Sequence, residues 1–393
     1  MSLMISSPWI VCQIGAREHY AIARALQGAG VLGNLISDFW VPPGSPFGRL
    51  PGGRRLKDRY HPDLANEKAL ALNARMLAFE IWMRAQKKSG WEVTHARNDL
   101  FQELTIRELR KKKSQPLRIF SYSYAAREIF RFSLDQGWQT ILGQIDPGPE
   151  EEQIVAAEHK RYAHFASDWQ PVPESYWENW REEISLTDHV VVNSEWSKNC
   201  LIKEGISPGK IRVIPLIYTA PPAKNLPLTV DVRKPLRVLF LGQVNLRKGI
   251  GRLLDAMRLV KDRDILLTLV GPSEIAADAW KDLPNVTWAG PVPRSAVADY
   301  YDQADIFILP TLSDGYALTQ LESLARGVPV LASQCCGEAV SDGANGWLLK
   351  DLEPETIAAE LVAIHEGKRP LTGPIQPLSY DLADLGRDLL ALG

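Results

Sequence analysis

Short apolar runs alternate with helix-length amphipathic segments along almost the whole of this 393-residue chain. That alternation constrains the fold more than any other feature. Strands buried in a parallel sheet read as unbroken apolar runs, and each parallel pair needs a crossover, usually a helix. The expected class is therefore α/β. In the first half strands are expected at 8–15 (PWIVCQIG), 33–37, 117–123, 140–146 (TILGQID), 189–194 and 211–216. A second series is expected at 236–243 (LRVLFLGQ), 265–271, 285–290, 305–311 (DIFILPT) and 329–333, with helices near 250–262, 294–303, 317–326 and 354–366.

Between the two series, IYTAPPAKNLPLTVDVRKP (217–235) carries four prolines and no sustained period, which reads as a linker. The length suits two domains that each bury a core. The expected organisation is a Rossmann-like N-terminal domain (1–217), a linker (218–235), a second Rossmann-like domain (236–368) and a terminal segment (369–393). In that last segment SYDLADLGRDLLALG reads as a helix packed back across the pair.

Charge narrows the partners. Lys and Arg total 45 against 47 Asp and Glu, so no positive excess exists to neutralise a phosphate backbone, and nucleic acid is not an expected partner. Cys12, Cys200, Cys335 and Cys336 are too few and too irregular for a disulfide framework, which suits a reducing cytoplasm. Adjacent Cys335 and Cys336 lack the further Cys or His pairs of a zinc site, so no metal is expected there. The first residues show no basic leader, and no run reaches the roughly 18 apolar residues of a membrane helix, so a cytoplasmic location is expected. Two basic stretches, Arg49 to Arg59 (with Arg54, Arg55 and Lys57) and Arg110 to Lys113, leave a peripheral membrane contact open beside the plainer reading of solvated surface.

In open α/β sheets ligands bind beyond the carboxyl ends of the strands, where helix N-termini present N–H groups and positive dipole ends. After 236–243 comes VNLRKG, so Gly242, Arg247, Lys248 and Gly249 stand between strand and helix, where two cations and permissive backbone could hold a diphosphate. Solvated loop charges are the plainer alternative. After 305–311 comes LSDGYALTQLESLARG. Gly315 is expected to allow a tight turn, and the N–H groups of Tyr316, Ala317 and Leu318 to face an anion. Glu322, about one turn into the helix among Leu318, Leu321 and Ala325, is costly unless hydrogen-bonded and suits a ribose diol; a surface glutamate is the alternative.

These stretches carry a family resemblance. FLGQVNLRKG, the tract from Val286 to Pro310, and SDGYALTQLESLARGVPVLAS together resemble the donor domain of the retaining glycosyltransferases of family 4, which have the GT-B fold. The resemblance runs from about residue 188, at DHVVVNSEWSKN, to 350. It implies two Rossmann-like domains facing across a cleft, a nucleotide-sugar donor with UDP, GDP or ADP, a glycan, lipid-linked or small-molecule acceptor, and no cofactor or metal. The family's two acidic residues separated by seven others fall on Asp314 and Glu322, the first against the transferred sugar and the second on the ribose. The resemblance also puts Val292 at the donor. Two departures matter: the first acidic position, usually Glu, is Asp314, and a basic residue that often follows the strand glycine is Gln243, so that Arg247 is expected to share its phosphate role with Lys248.

On the acceptor side, IGAREHY (14–20) resembles the family's glycine loop near the donor phosphates, with Gly15 and Ala16 matching; Arg17 could meet a phosphate and His19 the acceptor or sugar. Asp146 stands where many members carry a sugar-contacting residue, beside Gln144, yet Pro147 and Gly148 make turn capping an equal reading. Ser121, Ser123 and Tyr124 are expected to line the cleft. Trp169, Tyr176, Trp177 and Trp180 could stack on sugar rings or simply pack the core. The catalytic candidates are thus Asp314, Lys248, Arg247, Asp146 and His19, in a transfer that retains anomeric configuration by front-face attack. Rival readings are a catalytically silent nucleotide-sugar-binding subunit, and an epimerase or phosphorylase of the same layout, although nothing marks a pyridoxal lysine.

Overall fold

The computed structural model describes residues 7–49, 56, 58–112, 116–165, 169–219, 234–276, 278–373, 375 and 379–392. Two all-parallel sheets organise the chain. The first comprises β1 (Trp9–Gln13), β2 (Leu32–Ser37), β3 (Ala69–Ala71), β4 (Arg118–Tyr122), β5 (Gln139–Gly143), β6 (His189–Val192) and β7 (Ile211–Val213), in the spatial order β3-β2-β1-β4-β5-β6-β7. The second comprises β8 (Leu236–Leu241), β9 (Ile265–Val270), β10 (Val286–Gly290), β11 (Ile306–Leu309), β12 (Val330–Ala332) and β13 (Gly346–Leu348), ordered β10-β9-β8-β11-β12-β13. Strand order reverses direction at β1 and at β8. The loops that follow these two strands, and those after β4, β5 and β11, therefore open into a crevice.

Crossovers in the first half run through α1 (Ala21–Gly28), α2 (Asn73–Ala85), α3 (Gly90–Leu109), α4 (Arg127–Asp135), α5 (Pro149–Arg161), α6 (Glu174–Ser185) and α7 (Glu195–Lys203). The second half adds α8 (Ile250–Leu259), α9 (Val297–Gln303), α10 (Leu318–Ala325), α11 (Pro354–His365) and α12 (Leu382–Leu390). The unbroken apolar runs of β1 and β4 to β6 have the expected physical cause, burial on both faces. Trp9, Val11, Phe120 and Ile141 pack on one side with α1 and with Leu385 and Leu389 of α12. Ile10, Cys12, Ile119, Leu142 and Val190 pack on the other, against Phe101, Phe130, Trp180 and Leu201 from α3, α4, α6 and α7. The C-terminal helix thus crosses back to the first sheet. Its start is closed by a capping box, with Asp381 accepting from the Ala383 and Asp384 N–H groups and Asp384 accepting from that of Asp381.

Three features differ from the sequence expectation. The edge strands β3 and β13 were not anticipated, because three residues are too few to show a period. The strands also end earlier than expected, so that Gln144 to Asp146 lie in the loop after β5. Finally, Tyr162 and Phe165, which follow α5 of the first half, are buried in the core of the second sheet, where the Tyr162 ring covers Gly251 and its hydroxyl donates to Asp255 at 2.7 Å. Ion pairs from α5 support the same junction: Arg252 to Glu158 at 2.8 Å and Arg161 to Glu353 at 2.8 Å. Residues 220–233 of the expected linker, and Arg54, Arg55, Lys57 and Lys113 of the basic stretches, lie outside the described residues. No helix among the described residues is long and apolar enough to cross a membrane.

Candidate functional site

A cavity of about 290 Å³ opens between the two sheets. From the first sheet it receives Arg17 and Glu18 of the loop after β1, Ile145 after β5, and Asn193 after β6. From the second it receives Gly242 after β8, Lys248, and the run Asp314, Tyr316, Ala317 and Leu318 between β11 and α10. Of the expected donor residues, those six from Gly242 to Leu318 are brought together on one wall.

Lys248 and Asp314 form an ion pair inside this cavity, with side chains only 13% and 15% exposed. Burial alone would push the Asp314 carboxyl up, but Lys248 and Arg247 outweigh it, helped by the Tyr316 N–H, and hold it below its ordinary value. The loop carrying Asp314 is pinned from behind. The Asp314 N–H donates to the Cys335 carbonyl at 2.9 Å, and the Ala317 N–H to that of Cys336 at 3.1 Å. The vicinal cysteines therefore act through their backbone as a buttress. Two expectations are corrected here. The Ala317 N–H is already occupied and does not face an anion, and the Tyr316 N–H serves Asp314. Gly315 is needed for a different reason than a tight turn: a Cβ there would lie 2.5 Å from the Ile145 carbonyl oxygen of the opposite loop. Its own carbonyl accepts from the Ser194 hydroxyl at 2.8 Å, so the two halves are in direct contact at this point. Likewise Gly249, at φ +73°, lets α8 start against the Pro310 carbonyl, which a Cβ would strike.

Arg247 parts company with Lys248. Instead of joining it over one diphosphate site, Arg247 lines a second cavity of about 330 Å³, and donates at 3.4 Å to Glu151 and to the Ser313 carbonyl. Burial works against its charge, but Glu151, Asp314, Asp146 and Glu274 outweigh burial and keep it protonated. Asp146 lines this second cavity too. Its Oδ1 accepts from the Tyr124 hydroxyl at 2.5 Å, the Gly148 N–H at 2.9 Å and Gln144 at 3.1 Å, so it caps its turn and faces the cavity at once. Burial raises its carboxyl, and the Tyr124 and Gly148 bonds, with Arg247 and Arg17, partly counter the rise. Ser121 and Ser123 are buried and line neither cavity, a correction; Tyr124 does line one. The aromatic tract divides. Trp180 is buried at 2% exposure and donates to Gln144 at 2.9 Å, Trp177 is 8% exposed and touches the second cavity, and Trp169 and Tyr176 are partly open to it.

The loop after β1 holds the group that sequence reading passed over. Glu18, His19 and Tyr20 all adopt left-handed backbone, φ +50°, +52° and +61°. Such a run of non-glycine residues is strained and needs surrounding structure to hold it. Tyr20 is fully buried, edge-on to Trp40 at 5.2 Å. His19 meets Arg294 of the second half at 2.8 Å across the crevice, and Arg17 lies over the Tyr122 ring at 5.7 Å. Glu18 is thereby turned into the first cavity, where burial pushes its carboxyl up to about 7 despite Arg17. Nothing local in AREHY signals this, because three consecutive left-handed residues have no sequence signature outside glycine and asparagine.

The remaining expected residues stand apart. Gln243 is exposed beside the first cavity, Val292 packs on the core of the second sheet, and Gly15, at φ +88°, donates its N–H to Asp38 at 2.9 Å. Ala16 accepts the His19 N–H at 3.2 Å. Glu322 is half-buried, accepts from Tyr301 at 3.3 Å, and is raised by burial while Arg294 lowers it. Neither Arg294 nor Tyr301 was anticipated. Among the described residues no group of three or more His, Cys, Asp or Glu side chains could hold a metal ion.

Residues 235–366 match the family described as glycosyl transferases group 1. Amylovoran biosynthesis glycosyltransferase AmsK of Erwinia amylovora is 29% identical over 160 residues, 37% of this chain and 39% of AmsK. The chain spans about half the length, or less, of the curated relatives it matches. Among solved structures, sucrose-phosphate synthase of Thermosynechococcus elongatus superposes with a TM-score of 0.61 at 19% identity, covering 98% of this chain and 94% of that one. The Anabaena protein HepE in complex with UDP and glucose does so with a TM-score of 0.59 at 13% identity, covering 98% of each. Full-length agreement with such structures identifies the architecture, and the matched segment marks its second half: this is a protein of the GT-B fold whose residues 235–366 match the model of the glycosyl transferases group 1.

Proposed function

We propose that the protein is a nucleotide-sugar-dependent glycosyltransferase, with the donor diphosphate seated in the cavity between the sheets and the sugar directed toward Asp314. The observation that carries this reading is the Lys248–Asp314 pair in a cleft bordered by Arg17, with Arg247 behind the same loop. A departing nucleoside diphosphate gains negative charge, and fixed cations in a partly water-excluded cleft stabilise that charge more in the transition state than in the ground state. Donor binding exchanges the Lys248–Asp314 contact for a Lys248–phosphate contact and leaves Asp314 to accept sugar hydroxyls. Glu322 then receives the ribose, beside Tyr301.

In the finer reading, transfer retains anomeric configuration. The acceptor attacks from the face the diphosphate leaves, and a diphosphate oxygen takes the acceptor proton, with Lys248 and Arg17 doing the work that a metal ion does elsewhere. UDP complexes of HepE, a protein of the same fold, favour UDP as the first nucleotide to try. The reading also has the enzyme working in the cytoplasm, on a glycan, lipid-linked or small acceptor.

The test is thermal-shift screening against UDP, GDP and ADP and their common sugar conjugates, with Lys248→Ala and Glu322→Ala alongside. One nucleotide is expected to raise the melting temperature, by roughly 2.7 kcal/mol of added stability at a hundredfold excess over Kd, and both variants to lose the rise. No shift with any nucleotide rejects the reading.

A further inference from the structure

The second cavity has its own chemistry. It abuts the first at the loop of Ser313 and Asp314, because Arg247 on its wall donates to the Ser313 carbonyl and Asp314 lines the first cavity. At about 330 Å³ it falls in the range of small-molecule clefts, about 300–1,000 Å³. One side is aromatic. Tyr176 is stacked on Tyr124 at 4.5 Å, Trp91 meets the Tyr176 ring at 5.0 Å, and Trp169 is stacked on His159 at 4.7 Å. The parts of these rings left open to the cavity give it an apolar side against which the C–H face of a pyranose can pack.

The other side is acidic, with Asp146, Glu151, Glu152 and Glu274 set against the guanidinium of Arg247. That cation is already engaged by Glu151 and a carbonyl. Glu152 accepts from the Val172 N–H at 2.8 Å and Glu274 from Asn245 at 3.1 Å, which fixes both carboxylates in place. Oε2 of Glu151 is buried without a hydrogen-bond partner. That oxygen is closed off from the cavity, which leaves the more open Glu152 and Glu274 as the carboxylates a ligand hydroxyl reaches.

Resting on the glycosyltransferase reading, we propose that this second cavity seats the acceptor, takes a neutral hydroxyl-bearing sugar ring, and turns away rings that carry phosphate or carboxylate. The aromatic side holds the ring, a hydroxyl donates to Glu152 or Glu274, and the acidic wall repels anions at short range where screening is weak. Its border with the donor cavity at Asp314 puts a bound hydroxyl next to the transferred sugar.

Saturation-transfer NMR tests this on the protein loaded with UDP, GDP or ADP, whichever thermal shift selects. The probes are methyl α-glucoside, α-galactoside and α-mannoside and their 6-phosphates. At least one neutral glycoside is expected to bind, about tenfold tighter than its 6-phosphate. The double variant Glu152→Gln, Glu274→Gln should narrow that gap to about threefold, and Trp169→Ala should abolish glycoside binding while the nucleotide shift persists. Equal or tighter binding of the 6-phosphates, an unmoved gap in the double variant, or no neutral glycoside bound by a nucleotide-loaded protein overturns the inference alone. A wild type that binds no nucleotide rejects the donor reading and this inference with it.

Discussion

The bank of the cleft built by the second sheet draws its groups from two short stretches, Gly242 to Lys248 and Ser313 to Leu318, whereas the bank built by the first sheet assembles Arg17, Glu18, Asp146 and Glu151 from separate loops. On the second bank, glycines allow close approach and the ion pair Lys248–Asp314 supplies the charge. On the first, each group is held by partners distant in the chain: Tyr124 for Asp146, Arg247 for Glu151, Trp40 behind Tyr20 for the strained turn at Glu18. Glu183 of α6 illustrates the same dependence. Its carboxylate accepts from the N–H groups of Tyr124, Ala126 and Arg127 at 2.7, 2.6 and 3.0 Å, closing the start of α4, which has no cap of its own. A short motif thus carries chemistry on one bank, and packing carries it on the other.

The strongest break of this contrast is Lys248→Ala against Asp146→Asn. Removing the fixed cation should lower kcat of sugar transfer by about 10²–10³-fold, while Asp146→Asn, which keeps the shape of the turn, should cost at most about tenfold. Steady-state kinetics with the selected donor decide it, and a reversed order would move the main charge-stabilising site to the first bank. Next in size is Glu183→Ala, which strands three backbone donors and should cost about 3 kcal/mol in urea unfolding. An unchanged midpoint would show that α4 does not depend on its distant cap.

Gly315→Ala comes third. The added Cβ has backbone on its far side and cannot be accommodated by rotating a side chain, so the halves must part at Ile145, at about 1–3 kcal/mol with a matching drop in melting temperature. Full retention of stability and turnover would mean that the two loops part freely. The smallest effect is in pH. Glu18 titrates near 7 in the fold and near 4.5 in the unfolded chain. Below 4.5 both states hold the proton and its stabilising contribution is complete; as pH rises through 7 the unfolded chain ionises first and that contribution is lost. Above 7 its charge also opposes a phosphate, so nucleotide Kd should weaken by about threefold between pH 6 and 8, a slope that Glu18→Gln flattens. A flat wild-type profile by calorimetry would remove Glu18 from the donor site.

Legibility followed the same division. Lys248, Asp314, Tyr316 and Leu318 could be read because they follow apolar runs and precede helices, so strand ends and helix starts were enough to bring them to one wall. Glu18 and Arg294 could not, since one depends on a left-handed turn imposed by burial of Tyr20 and the other on a contact across the crevice. Arg247 was read as the twin of Lys248. Glu151, invisible in a run of glutamates at the start of α5, draws it to the other cavity.

By itself the sequence determined the α/β class, two parallel sheets and the loops that face the crevice, because periodicity and strand–helix order are local properties that burial on both sheet faces makes legible. The tertiary structure alone decided that Tyr162 and Phe165 complete the core of the other half, that two adjacent cations serve different cavities, and that Gly315 must stay bare against Ile145. These are outcomes of packing between residues far apart in the chain, where shape and desolvation, rather than residue type, select the partner.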